Sequence, residues 1–262
     1  MMNVQTSAFS HGGGVREYNE DAFLDLPKSG IWLVADGMGG YQAGDVASQL
    51  ICDTVTGEQQ RHGGILDRLA LERALLLANR RIRQYGEETL SGHTLGSTVV
   101  ALLVEHYRYH LFWAGDSRCY RVRRGEIAQL STDHSQVAEM VAQGVIAAED
   151  AECHPLAHVI TRALGVDDNL ELDYQTGAVE PGDRFMLCSD GVSKELNLEE
   201  LRGFLIREPI EEVSQAMMHS LLIKKCNDNI TCIIVKFSED CYSPGCSAGR
   251  DDHTIPVNFR FT

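Results

Sequence analysis

The run Ile31-Trp32-Leu33-Val34-Ala35-Asp36-Gly37-Met38-Gly39-Gly40 decides the fold. It reads as an apolar strand that runs straight into an aspartate. The same plan recurs twice: Leu111-Phe112-Trp113-Ala114 leads into Gly115-Asp116-Ser117-Arg118, and Phe185-Met186-Leu187-Cys188 into Ser189-Asp190-Gly191. A fourth aspartate, in Asn227-Asp228-Asn229, stands just before the apolar strand Ile230 to Val235. In antiparallel packing the start of one strand lies beside the end of its neighbour. All four carboxylates can therefore meet at one edge of a central core.

Taken singly, each Asp-Gly or Asn-Asp-Asn is explained as a turn, because these residues favour turn backbones for local reasons. Four converging together are harder to explain that way, since carboxylates repel unless cations stand between them. Hard oxygen ligands without a Cys/His set point to Mg²⁺ or Mn²⁺ rather than zinc.

Outward from these runs, the chain alternates strands and helices without a repeating βαβ order. Strand-like stretches are Ile31 to Ala35, Ser97 to Val104, Tyr107 to Ala114, Cys119 to Val122, Ile127 to Leu130, Leu170 to Gln175, Arg184 to Cys188 and Ile230 to Phe237. Helices are expected over Ala43 to Gln60, Ile65 to Glu88, Ser135 to Gln143, Leu198 to Ile206 and Ile210 to Lys224. Strands in meanders with helices grouped between them define an α+β layered sandwich. Residues 1–238 form one domain, with an insertion over about 144–165 read as mobile, and 239–262 form a tail.

Composition sets the outer limits. The chain has 262 residues and a formal net charge of −15, which disfavours nucleic acid as a partner because phosphate binding needs a basic surface. The acidity itself fits plain solubility or cation binding equally well. No basic-then-apolar leader opens the sequence and no apolar run approaches a membrane span, so a cytoplasmic protein without membrane insertion is expected. Its 8 cysteines are then expected to be reduced.

Nucleophile signatures mostly fail. No Cys precedes an Arg by six positions, and no Gly-Lys dipeptide forms a phosphate loop. Covalent catalysis is the weaker reading. Upstream, Gly12-Gly13-Gly14-Val15-Arg16 precedes Asn19-Glu20-Asp21. Arg is the side chain best shaped to grip a phosphate in a bidentate fork. Beside an oxygen-ligand cation site, it makes phosphoester binding the better account of a residue that would otherwise pass for a surface ion pair.

These residues resemble the protein phosphatase 2C (PPM) family of metal-dependent serine/threonine phosphatases in its bacterial form. The matching pieces stand in family order: Gly14-Val15-Arg16-x-x-Asn19-Glu20-Asp21, Val34 to Gly40, Gly96-Ser97-Thr98, Ala114 to Arg118, Asp133-His134-Ser135, Ser189-Asp190-Gly191 and Asp228-Asn229-Ile230-Thr231. The resemblance implies a four-layer α-β-β-α sandwich of two central, mainly antiparallel sheets with metals in a cleft at one end. It implies that Asp36 bridges two Mn²⁺ or Mg²⁺ ions, the Gly37 carbonyl completing one and Asp190 and Asp228 holding the other. Asp116 would share a third, weaker site with Asp190. Asp21 and Glu20 would act through metal-bound waters, and Arg16 would hold the substrate phosphate. A hydroxide shared by the two ions would then attack phosphorus in line with the leaving oxygen.

The expected activity is removal of phosphate from phosphoserine and phosphothreonine in proteins, opposing a kinase in bacterial signalling. The expected partners are phosphorylated proteins, including such a kinase or its targets. One rival is the same site acting on a small phosphoester or on a stress or secretion regulator. Another is a catalytically inactive interaction module, which the presence of Asp36, Asp190 and Asp228 disfavours. Two features depart from the family pattern. Met38 stands where many eukaryotic members carry a histidine proposed as general acid, and Met has no proton to give. His134 is a tempting substitute, but it opens a helix, where capping or packing is the expected role.

Overall fold

The structure, a computed structural model, describes residues 2–16, 18–39, 43–90, 94–151 and 153–239. Gly40 of the first Asp-Gly run and the tail cysteines Cys241 and Cys246 lie outside the described residues.

Two antiparallel sheets form the centre. The first has strand order β1-β11-β10-β7-β8, from β1 (Met2–His11), β11 (Ile230–Glu239), β10 (Arg184–Cys188), β7 (Arg118–Arg123) and β8 (Glu126–Gln129). The second runs β2-β3-β5-β6-β9, from β2 (Asp21–Leu26), β3 (Ile31–Gly39), β5 (Val99–Glu105), β6 (Arg108–Ala114) and β9 (Asp173–Ala178). A short β4 (Leu95–Ser97) pairs with the far end of β3.

The two-residue period of each strand builds the four layers. In β3, Ile31, Leu33 and Ala35 face the helices α1 (Gly44–Arg61) and α2 (Arg68–Thr89), while Trp32 and Val34 pack between the sheets. In β10, Met186 and Cys188 face the helical layer of α5 (Leu198–Leu205) and α6 (Ile210–Ile223), and Phe185 and Leu187 join Trp32 in the middle. Strand β11 divides likewise, with Cys232 and Ile234 outward and Ile233, Val235 and Phe237 inward. Both faces of these strands are thus apolar, which is why they read as continuous hydrophobic runs. The expected α-β-β-α sandwich is the observed fold.

Alternation also aims the site. Asp36 follows Trp32 and Val34 on the inward face of β3, Asp21 precedes inward-facing Phe23 on β2, and Ser189 follows Phe185 and Leu187 beyond β10. The mouth of the inter-sheet layer is therefore lined by polar groups that continue the core's own side-chain rows.

Several elements depart from the sequence reading. Strands β1 and β2 were not marked by it. β1 is a sheet edge rich in Asn, Gln, Thr and Ser, yet pairs with β11 residue by residue from Met2–Glu239 to His11–Ile230. Strand β3 passes through Asp36-Gly37 instead of turning there. Met38 and Gly39 pair with Gly96 and Leu95, and the Thr98 amide donates to the Asp36 carbonyl at 2.9 Å. β9 begins at Asp173, because Leu170 is spent filling the helix-side core from a loop.

The segment 144–165 contains a 3₁₀ turn at Ala148–Asp150, and its last part is fastened, not free. Leu164 is fully buried and exchanges backbone hydrogen bonds with Ser97 at 2.9 and 3.0 Å, and the Gly165 amide donates to Asn79 at 2.6 Å.

Phe185 is the test of the inter-sheet layer, fully buried with its ring centroid 5.3 Å from Tyr109 and 5.9 Å from Phe237. Phe185→Ala should cost about 3–5 kcal/mol in urea unfolding with an unchanged m-value. A loss below about 1 kcal/mol would contradict this view of the core.

Candidate metal centre

The β2–β3 register sets Asp21 directly opposite Asp36. Behind them the backbone is pressed so close that only glycine fits. A Cβ on Gly37 would lie 2.0 Å from the Gly44 carbonyl oxygen, and one on Gly44 would lie 2.5 Å from Glu20 Oε1. That close crossing brings the Gly44 amide, at the start of α1, to donate to Glu20 Oε1 at 3.2 Å. The Gly37 amide donates to the Glu20 carbonyl at 3.1 Å.

The other sheet contributes through Asp190, Asp228 and the polar residues around them. Asp190 opens the one-turn helix α4 (Asp190–Ser193) directly after β10. Ser189 ties the two sheets together: its hydroxyl donates to Asp21 Oδ2 at 2.8 Å and accepts from the Thr231 amide at 3.1 Å. Asn229 does the same for the N-terminal loop. Its Oδ1 accepts from the Glu20 amide at 2.8 Å, and its Nδ2 donates to the carbonyls of Tyr18 and Gly12 at 3.0 and 3.3 Å. Gly13, at φ +74°, passes so near that a Cβ would lie 2.1 Å from the Asp228 carbonyl oxygen. The glycine-rich approach thus delivers Arg16 to Asp228, Nη2 to Oδ1, at 3.0 Å.

Asp116 follows β6 through Gly115, whose φ of +112° and close approach to Thr98 leave no room for a side chain. His134 supports this loop. Its backbone amide donates to the Gly115 carbonyl at 3.0 Å, its Nδ1 accepts from the Gly115 amide at 3.1 Å, and its ring stacks on Trp113. Nε2 faces Asp173 at 3.3 Å, and burial lowers the imidazole's proton affinity. His134 is a packing residue, while Ser135 caps α3 (Gln136–Ala142) by accepting from the Ala138 amide.

The electrostatics are those of an acidic cluster in which carboxylates outnumber the cations beside them, Arg16 at Asp228 and Lys194 at Asp190. Burial, followed by the charges of Asp21, Asp190, Asp116 and Asp228, raises Asp36 well above the ordinary carboxylate range. Burial lifts Asp21 to about 7 despite hydrogen bonds from Thr231 and Ser189. Burial and Asp190 lift Asp116 to about 6. Asp21 Oδ1 and Asp190 Oδ1 are buried with no hydrogen-bond partner among the described residues. Buried, unpartnered carboxylate oxygens are costly unless a cation answers them.

Among the described residues, no three carboxylate, imidazole or thiol groups stand close enough to close a ligand cage by themselves. The all-oxygen set is spread around the mouth, which suits a small hard cation that retains part of its water shell. The residues present fit divalent metal.

Arg16, Glu20, Asp21, Asp36, Gly37, Asp116, Asp190 and Asp228, the residues expected from the sequence, all stand at this one end of the sandwich. Ser189, Asn229 and Lys194 join them without a role expected from the sequence. Ser189 and Asn229 flank predicted aspartates, and that adjacency was the available signal. Lys194 reaches Asp190 only because a helical turn brings residue i+4 back over residue i.

Comparison with known proteins identifies the family and the fold. The protein phosphatase 2C family profile matches residues 14–230. The serine/threonine phosphatase stp of Listeria innocua is 31% identical over 232 residues, covering 86% of this chain and 92% of that one. Among solved structures, PppA, described as a key regulatory component of T6SS in Pseudomonas aeruginosa, is 40% identical. It superposes with a TM-score of 0.77 over 89% of this chain and 97% of PppA. The catalytic domain of the serine/threonine protein phosphatase PstP, in complex with 2 manganese ions, is 29% identical with a TM-score of 0.81, over 91% of this chain and all of the other.

The chain belongs to the protein phosphatase 2C family. It is an enzyme, a metal-dependent protein serine/threonine phosphatase.

The raised carboxylates fix a sign. Groups that bind protons more tightly folded than unfolded stabilise the fold below their unfolded values and lose that contribution as pH rises through their folded values. The metal-free protein should therefore melt higher at pH 5 than at pH 8, across the span from the ordinary carboxylate value of 3.8 to about 6 and 7 for Asp116 and Asp21. Saturating Mn²⁺ should reverse the trend, because metal must displace those protons. At one hundred times its dissociation constant, Mn²⁺ should add about 2.7 kcal/mol, or roughly 5–10 °C in Tm. Identical melting curves in EDTA at the two pH values would contradict the clustered-carboxylate account.

Proposed function

We propose that Asp36, Asp190 and Asp228, with the Gly37 carbonyl, hold two Mn²⁺ or Mg²⁺ ions, and that Asp21 and Glu20 contribute through intervening water. The observation that carries this reading is the set of buried, mutually repelling carboxylates with unpartnered oxygens next to an exposed arginine on a glycine-rich loop. When bound, the ions supply Lewis-acid chemistry, acidifying water and offsetting phosphoryl charge.

The rest is done by the chain's own side chains. Arg16, half exposed and paired with Asp228, can turn its guanidinium fork onto the oxygens of a phosphoserine or phosphothreonine. Asn229 holds the backbone on both sides of that arginine, through Gly12 and Tyr18, so the fork is delivered at a fixed height above the carboxylates. Met38 has no proton for the leaving oxygen, and His134 is buried in the loop that supports Asp116, its Nδ1 taken by the Gly115 amide and its Nε2 turned toward Asp173. The leaving alkoxide is thus protonated from water, and catalysis rests on positioning and charge.

The substrates in this reading are phosphorylated proteins, and the setting is a cytoplasmic circuit in which the enzyme opposes a serine/threonine kinase. Among the described residues no helix is long and apolar enough to cross a membrane. The likeness to PppA favours a secretion-linked regulator as the substrate within that circuit.

The deciding experiment is phosphate release from a phosphothreonine peptide with added Mn²⁺. Wild type should release phosphate, and EDTA or Asp36→Asn should abolish release. Arg16→Ala should lose about 10–100-fold in kcat/KM, the worth of a hydrogen-bonded charge pair of about 1.5–3 kcal/mol. Full activity in EDTA or in Asp36→Asn would falsify the assignment.

A further inference from the structure

Lys194 is unexplained by the site as described so far. It caps the C-terminal end of α4, one helical turn beyond Asp190, and its side chain folds back into the metal centre. The ammonium Nζ is paired with Asp190 Oδ2, stands 4.0 Å from Asp116 Oδ2, and donates to His158 Nδ1 at 3.1 Å. A lysine ammonium has three hydrogens to donate, and these three neighbours surround it. The two carboxylate side chains are only 9% and 14% exposed, so the ammonium is the charge that answers them inside the protein.

We propose that the Lys194 ammonium is a tethered cation that fills the space between Asp116 and Asp190, so that this chain takes up two divalent ions and no third. The proposal rests on the metal-dependent reading of the site and deepens it. A third divalent ion shared by Asp116 and Asp190 would have to take Asp190 Oδ2 from the ammonium and stand in its place, whereas Asp190 Oδ1 has no partner among the described residues and stays open to a core ion. Arg16 sets no such barrier at Asp228. It is half exposed on the glycine-rich loop, whereas Lys194 is held at its base by α4 and at its tip by Asp190 and His158, with Asp116 4.0 Å away. The hydrogen bond to His158 has a further consequence. It joins the segment 144–165 to the metal centre through a charge that belongs to the chain, not to a dissociable ion.

Equilibrium dialysis of the full chain against Mn²⁺, read as bound metal per chain, tests this directly. Wild type should saturate at two ions and stay there at millimolar Mn²⁺. Lys194→Gln should rise to three, and Lys194→Arg, which keeps the charge, should remain at two. Adding Asp116→Asn to Lys194→Gln should return the count to two. Lys194→Met gives a second neutral variant should Lys194→Gln not fold. Three ions on wild type, or two on both neutral variants, would overturn the role of Lys194 while leaving the two-ion site intact. A wild type that binds no Mn²⁺ would overturn the metal centre itself, and Lys194's role with it.

Discussion

Everything at the working end of this protein follows from carboxylates forced together where the inter-sheet core ends. Asp21 and Asp36 are register partners in one sheet, and Ser189 reaches across from the other to hold Asp21. Packing of Trp32, Phe185, Phe237 and their neighbours fixes the distance between the sheets. The apolar layer that stabilises the fold therefore also presses like charges together. Repulsion among them is the feature a divalent cation relieves, so metal affinity is a property of the whole sandwich.

The backbone makes this possible at a few points where side chains have been given up. Gly37 and Gly44 cross at a distance that excludes any Cβ, and this seats the start of α1 against Glu20. Gly13 passes Asp228 in a left-handed turn, which carries the loop to Arg16. Asn229 then locks that loop to the strand that follows Asp228. The clustered carboxylates and Arg16 are thus set by one connected stretch of close backbone contacts. Two positive side chains sit among the acids in different ways: Arg16 is half exposed and pairs with Asp228, and Lys194 is more buried and pairs with Asp190.

Much of this was legible in the sequence because buried strands leave an unmistakable mark. Ile31 to Ala35, Phe185 to Cys188 and Ile230 to Val235 are apolar on both faces, and the aspartates at their ends stand out against them. Strands β1 and β2 were illegible for the opposite reason: they are sheet edges, and β1 is largely polar. The strand expected over Ile31 to Ala35 runs on to Gly39 because β4, only three residues long, pairs with it beyond the aspartate. Lys194 was hidden because nothing in a local pattern says which way a lysine on a one-turn helix will fold. The net charge of −15 acquires a partial meaning as well, since Glu20, Asp21, Asp36, Asp116, Asp190 and Asp228 all gather in one place.

The most direct test of this account is an anomalous-scattering experiment at the manganese edge on crystals of the wild-type chain grown with Mn²⁺. Two strong peaks are predicted at the mouth of the inter-sheet layer, in contact with Asp36, Asp190 and Asp228. Crystals of the same protein with no manganese at those carboxylates, or with manganese only elsewhere on the surface, would contradict it.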